Sequence, residues 1–300
     1  RRVLFRSCSD VTVESYQIRG FPNRFDVTFD MPRIEGPGLS WTTPFLQLFA
    51  LTYRPHHLIA VAAPDQIVTL DGQELLIHSE DLRASVVMAP SLDLPLERFA
   101  LVGRVLDLQL AEETHALDTL RIASRRLAPR VHELALAIEG LFPDPALMDR
   151  LDPQALWPRR FSLLRGDVEL EFDRELDRHL ADGVEPRLTR LTLTGFAAQW
   201  PGVEMALTGR LTPGADGAFS GEAVLTVSGW EALLDELRQA GLLDEGTQGM
   251  LRTTLGGLAQ SEADAAAEGD RIEVPLSVVE GDLRLGPLLL GTLPRLRLPA

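Results

Sequence analysis

Lysine is absent from the chain: all 29 basic residues are arginine. Cysteine is represented once, by Cys8, which excludes an intramolecular disulfide framework. No run approaches the ~20 apolar residues of a membrane-spanning helix. The 300 residues therefore read as soluble, and 45% apolar content is enough for a real core. The sequence also has no Gly-x-Ser-x-Gly elbow, no phosphate-binding Gly-Lys loop and no Gly-x-Gly-x-x-Gly after a strand. Its carboxylates fall in loops or on outward strand positions, with no pair that spacing alone identifies as a glycosidase site. No catalytic residue is assigned, and an enzyme is not expected.

Acidic residues outnumber basic ones, leaving a formal charge of −15. Phosphate contacts need a basic surface, so nucleic acid is not an expected partner. Net charge alone also disfavours adhesion to an anionic membrane. Metal binding is not expected, since zinc needs three or four convergent ligands. His56 and His57 are neighbours whose side chains diverge in a strand, and His78, His115, His132 and His179 show no ligand spacing. No cofactor is indicated.

The most individual stretch runs from Gly20 to Ala62. Gly20-Phe21-Pro22-Asn23 reads as a turn, because Pro22 sets its own φ and pushes Phe21 extended. Phe25, Val27 and Phe29 then alternate with Arg24, Asp26 and Thr28, the period of a half-buried strand. Arg24 and Asp26 share the polar face and can pair. Phe45, Leu46, Leu48, Phe49 and Leu51 form an apolar run that invites a groove reading. Tyr53-Arg54-Pro55-His56-His57 is a second turn, in which Pro55 breaks a long strand and Tyr53 and Arg54 are expected to lie against the sheet.

The rest of the chain is organised by period. Residues 1–10 are read as a disordered or artefactual start, and 11–142 as a β-rich half. Asp71-Gly72 is a hairpin signal. Gly103 marks an expected bulge, where the apolar phase of residues 96–110 slips. His132 shares parity with Leu134 and Leu136 and is expected at the rim, with its polar atoms satisfied. Residues 143–160 form a short helix and linker opened by Asp144-Pro145 and ended by Pro153 or Pro158. Residues 161–300 are a second β-rich half, in which Trp230, Leu234, Leu251 and Leu255 signal a helical pair with Gly241 as a cap. One continuous domain is the alternative to two halves. Trp41, Trp157, Trp200 and Trp230 sit at element edges, where tryptophan plugs cores more often than it builds a ligand platform.

The expected fold is mainly β: a long, curved antiparallel sheet, open or half-barrel-like, with short helices near 144–152 and 230–260. Too few helices exist to cover it, and an open apolar face points to a binding groove.

Gly20 to Asp26, Trp41 with Pro44-Phe45, and Tyr53 to Val61 resemble the bacterial DUF2125 family of alphaproteobacteria. Weaker similarity extends through Asp81-Leu82-Arg83-Ala84-Ser85 and Val274-Pro275-Leu276. The resemblance implies an envelope protein facing the periplasm and held to the inner membrane by an N-terminal anchor missing from this chain. Arg1 to Cys8 departs from that pattern. More distantly the build resembles AsmA-type proteins, whose curved sheets form apolar grooves. The family motif residues Gly20, Phe21, Pro22, Asn23, Arg24, Phe25, Asp26, Trp41, Tyr53, Arg54, Pro55 and His56 are accordingly candidates for structural, ligand or partner contacts. The expected function is non-catalytic binding or passage of a lipid or other apolar ligand. The alternative is an envelope scaffold that contacts another protein through those turns and the helices between Trp230 and Leu258.

Overall fold

A computed structural model describes residues 2–4, 10–36, 38–151, 159–182, 186–200, 203–214, 216–239, 244–263, 271–285 and 288–293. Cys8, Trp157, the expected helix ends at Pro153 and Pro158 and the Gly241 cap lie outside the described residues. The fold is mainly β: strands make up 69% of the structure, in an antiparallel sheet that does not close. Contacts divide the chain into one unit of residues 1–144 with 170–188, and another of 145–169 with 189–300.

The first unit opens with β1 (Arg2–Leu4), β2 (Asp10–Thr12), β3 (Ser15–Arg19), β4 (Arg24–Asp30), β5 (Arg33–Gly36), β6 (Leu39–Thr42) and β7 (Phe45–Leu51). It continues through β8 (Arg54–Ala62), β9 (Asp65–Leu70), β10 (Gln73–Met88), β11 (Leu96–Leu110), β12 (Glu113–Ala128) and β13 (Val131–Leu141). Several of these are halves of longer strands. β2 and β3, β4 and β5, β6 and β7, and β8 and β9 are each one chain crossing a bend. On one side of the bend the order is β3-β4-β7-β8-β10, on the other β2-β5-β6-β9-β10. β11, β12 and β13 follow β10 in sequence order. The result is an up-and-down meander, which needs only local hairpins.

The bend has a sequence cause. Met31-Pro32, Thr43-Pro44 and Ala63-Pro64 place a residue without an N–H at the same level of three successive strands. The ladder continues across this level through the proline carbonyls: Met31 donates to Pro44 O at 2.9 Å, Thr43 to Pro32 O at 3.3 Å and Ser79 to Pro64 O at 2.9 Å. Met31, Val105 and Gly140 have φ of 47°, 46° and 63° on the same line. These bends shift the apolar phase by one residue. On β10 it is Leu82, Ala84 and Val86 on one side and Leu75 and Ile77 on the other. On β11 it is Phe99 and Leu101, then Leu106, Leu108 and Leu110. Val13, Pro32, Thr43, Ala63, Gln66, Ser79, Leu106 and Leu117 are buried along or just beyond the line, which is where this unit is most densely packed.

The expected bulge at Gly103 is displaced: Gly103 stays in register with Leu82 and Leu120, and the irregular residue is Val105. Gly103 is small for a different reason. A Cβ there would meet Leu106 Cδ1 at 2.9 Å and Leu82 Cδ1 at 3.2 Å. Pro55 does not break its strand either; it falls inside β8, where the pairing with β7 shifts register and spares its missing N–H. The Asp71-Gly72 hairpin forms as its composition dictates, with φ of 48° and 84°.

The second unit begins with α1 (Pro145–Leu151) and the start of β14 (Phe161–Phe172). β15 (Leu188–Trp200), β16 (Val203–Pro213) and β17 (Phe219–Ser228) form an antiparallel meander. Two helices, α2 (Trp230–Gln239) and α3 (Glu245–Ala263), precede β18 (Arg271–Val279), β19 (Asp282–Leu285) and β20 (Leu288–Thr292). β17 pairs with β18, so the two helices are an excursion between sheet neighbours. They fold back on the sheet and bury Val203, Val227, Trp230, Leu234 and Ile272, with Leu251 and Leu255 packed against them.

Candidate functional site

Call the part of the first unit between the bend and the turns at 20–23, 52–53, 89–95 and 129–130 its upper half. Side chains directly opposite one another in an antiparallel ladder share a face. One ladder reads Val27, Leu48, Ala60, Ala84, Leu101, Ile122, Leu136. The next reads Phe25, Ala50, Leu58, Val86, Phe99, Ser124, Leu134, and Phe29, Leu46, Ala62 and Leu82 continue the face toward the bend. None of these side chains is fully buried, and Phe25 and Leu136 are 40% and 37% exposed. Seven strands at ~4.8 Å and three rows ~7 Å apart make a face of order 600 Å². Most of its side chains are intermediate in exposure, so the face is partly open, and an apolar patch of this kind marks a binding site.

The opposite face is mixed: charged and polar side chains alternate there with small and apolar ones, Ile59 and Val102 among them at 40% and 38% exposure. Phe45, Gln47 and Phe49 project there, so the candidate groove residues divide: Leu46 and Leu48 belong to the apolar face, Phe45 and Phe49 to the mixed one. Leu51 sits at the strand end, beside the register shift. Across the mixed face runs the row His57, Val87, Arg98, Arg125, Glu133. Arg98 and Arg125 are directly opposed like charges, a destabilising pairing. Arg125 is held by Glu133, while Arg98 is exposed with no ion pair among the described residues. Ser85 and His57 meet at 3.0 Å (Oγ to Nε2) in a pit of about 420 Å³ floored by Ala100, Ala123 and Ala135.

The two turn motifs, thirty residues apart in sequence, meet at the upper end. Thr52 gives its backbone N–H and its hydroxyl to the Asn23 carbonyl at 3.2 and 3.0 Å, locking one turn to the other. Gly20 closes the first turn by accepting the Arg24 N–H at 3.1 Å. Its φ is +87°, and a Cβ there would lie 2.8 Å from Arg24 Cγ, so glycine is required. The Phe21–Pro22 peptide is cis. Arg24 and Asp26 pair at 2.8 Å, as their shared face implied. Tyr53 and Arg54 do not lie against the sheet: the turn projects past its edge, and Tyr53 is 70% and Phe21 79% exposed. Phe21 stacks against Phe25 with ring centroids 6.3 Å apart. Pro55 and His56 follow directly in β8. Trp41 is separated from this cluster; it lies below the bend on β6 and donates Nε1–H to Gln66 Oε1 at 3.0 Å. Trp200 and Trp230 belong to the second unit, around its core.

His132 departs from the expected satisfied rim residue. It is 2% exposed, its Nδ1 is 3.5 Å from Ser124 Oγ and its Nε2 has no partner. Burial, helped by the neighbouring Arg126 charge, lowers its pKa below 6.5. Arg126 itself bridges Glu97 and Glu175. Below the bend, His78 contacts Asp65 at 2.7 Å beside a cleft of about 490 Å³, and that hydrogen bond raises the His78 pKa. Among the described residues no group of three or more His, Cys, Asp or Glu is arranged to hold a metal ion. Alternation within each strand signals the apolar face, but its extension to Leu58, Phe99 and Leu134, and the Arg98–Arg125 opposition, needed the register.

The class defined by these features is an open antiparallel meander with one partly open apolar face and an aromatic turn cluster at its end. The chain belongs to DUF2125, described as an uncharacterized protein conserved in bacteria, whose profile matches residues 6–294. Neither a curated protein nor a solved structure shows significant similarity to it.

Proposed function

We propose that this chain is a non-catalytic protein of the bacterial envelope, facing the periplasm, that binds or passes a lipid or other apolar molecule along the upper apolar face of its first unit. The observation that carries this reading is the apolar ladder from Val27 to Leu136, none of whose side chains is fully buried. Half the hydrocarbon core of a bilayer is about 15 Å deep, roughly one acyl chain. Seven strands at ~4.8 Å spacing span more than that. Burial yields about 0.8 kcal/mol per CH₂, so a chain laid across these strands would bind well. An N-terminal anchor in the inner membrane, an alphaproteobacterial setting and AsmA-like kinship belong to the same proposal.

The test is lipid mass spectrometry of organic extracts from the protein purified out of a bacterial envelope. A stoichiometric phospholipid or fatty acid is expected. Leu48→Glu should abolish it, whereas Phe49→Glu, one residue along but on the other face, should retain it. Equal loss in both variants, or a clean extract from a protein that also fails to take up a fluorescent fatty acid, removes the proposal. The scaffold reading would then gain from Met250, 64% exposed on α3, and a pull-down would test it.

A further inference from the structure

The paired turns carry chemistry that the apolar face does not use. They present two aromatic side chains, Phe21 at 79% and Tyr53 at 70% exposure, on a tip held rigid by the Thr52–Asn23 hydrogen bonds. Around them stand Arg19, Arg24 and Arg54, with Arg98 one row below. Arg19 donates only to Gln17 Oε1, at 3.0 Å, and Arg54 and Arg98 have no ion pair among the described residues. Asp26 is the one carboxylate within these turns, and Arg24 neutralises it. Of the other carboxylates of the upper end, Glu133 holds Arg125, Glu97 and Glu175 hold Arg126, and Asp93, Asp173 and Asp177 lie on the β10–β11 turn and on segment 170–188.

The lower half has the opposite character. Among the described residues its arginines are Arg2 and Arg33, the latter tied to Glu35 at 2.7 Å, while Asp65, Asp71, Glu74, Asp107 and Glu112 go without arginine neighbours in sequence. Within the first unit, acidic charge is thus concentrated away from the arginine-collared tip.

We propose that the turns Gly20–Arg24 and Thr52–Arg54 form a membrane-docking tip that sets Phe21 and Tyr53 into the interface of an anionic bilayer. Aromatic rings favour the headgroup level, where one edge is apolar and the other wet. Arginine forks take lipid phosphates bidentately. The acidic lower half is repelled by the same surface, so only one end of the unit can approach. An acidic protein would match the arginines but would leave two projecting aromatics without a depth to enter, which is why a bilayer fits better. The contact is independent of what occupies the apolar face.

Co-sedimentation of the whole chain with phosphatidylcholine vesicles, with and without phosphatidylglycerol, tests this. Binding is expected with phosphatidylglycerol and should weaken at high salt. Phe21→Ser with Tyr53→Ser should lower partitioning about tenfold, and Arg54→Glu with Arg98→Glu at least about fivefold per arginine. Leu39→Ser and Leu70→Ser, at the opposite end, should change nothing. In a separate Phe21→Trp variant, brominated phosphatidylglycerol should quench the new emission and leave Trp41 untouched, which guards against misfolding of the serine variants. No sedimentation of the parent chain, equal binding by the serine variants, or capture of the tip only by an acidic protein overturns the proposal. A protein that binds vesicles yet yields no extracted lipid keeps the tip and removes the groove.

Discussion

The two units start from the same strand patterning and end differently. In the second, α2 and α3 fold onto the sheet, and Trp230 and Val203 fall to 3% and 4% exposure. In the first, the ladder from Val27 to Leu136 has no such cover, and none of its side chains is fully buried. Alternation therefore makes a face, and a face becomes a core only when the chain supplies something to lay on it. The second unit inserts two helices between β17 and β18; in the first, residues 1–144 run from hairpin to hairpin, and only segment 170–188, with one short 3-10 helix at Arg178–Asp182, returns to the upper end.

The contrast is tested most severely at Trp230. Trp230→Ala should cost about 3–5 kcal/mol, as a large buried side chain does, whereas Leu101→Ala, which is only partly buried, should cost less, about 1–2 kcal/mol. Urea unfolding of both variants is the measurement, and equal costs would mean that the face is covered in solution. Gly103→Ala should come next, at about 1–3 kcal/mol, since the new Cβ overpacks Leu106 and Leu82. A neutral result would show that the strand can shift at that point.

A weaker effect is expected from His132. Its folded pKa lies below 6.5, so the unfolded chain binds the proton more readily. Its contribution to stability is fully present above pH 6.5 and is lost as pH falls from there through the lowered folded value. His78, raised by Asp65, has the opposite sign: its contribution is present below pH 6.5 and lost as pH rises through its folded value. His132→Phe should therefore flatten the acid side of the stability profile, and His78→Gln the neutral side. Unfolding midpoints followed across this range separate the two, and an unchanged acid limb in His132→Phe would show that the imidazole is solvated.

Much of this was legible one strand at a time. Phe25, Val27 and Phe29 announce a half-buried strand, Asp71-Gly72 a hairpin, and Arg24 with Asp26 an ion pair, because each depends on neighbours within a few residues. The approximate places of the helices near 145–151 and 230–263 were legible for the same reason. What failed depended on partners elsewhere. The bulge belongs to Val105 and not Gly103 because β10 and β12 bend at that level, and Gly103 is kept small by Leu82, twenty-one residues away. Pro55 is tolerated within β8 because its partner strand slips register there. Tyr53 projects because Asn23, thirty residues earlier, holds its turn.

Local patterning was enough to dictate the class of structure: period-two alternation with hairpin turns makes an antiparallel meander, and the lack of covering helices over residues 11–142 leaves it an apolar face. The chain's acidity and its family were equally plain in the residues. The rest came only with the folded chain. Three prolines came to one level and bent the sheet, and Phe45 and Phe49 went to the face opposite Leu46 and Leu48. Two distant turns became one aromatic tip with arginines around it. Those outcomes rest on register, and register is set by the sum of pairings across all the strands rather than by any one of them.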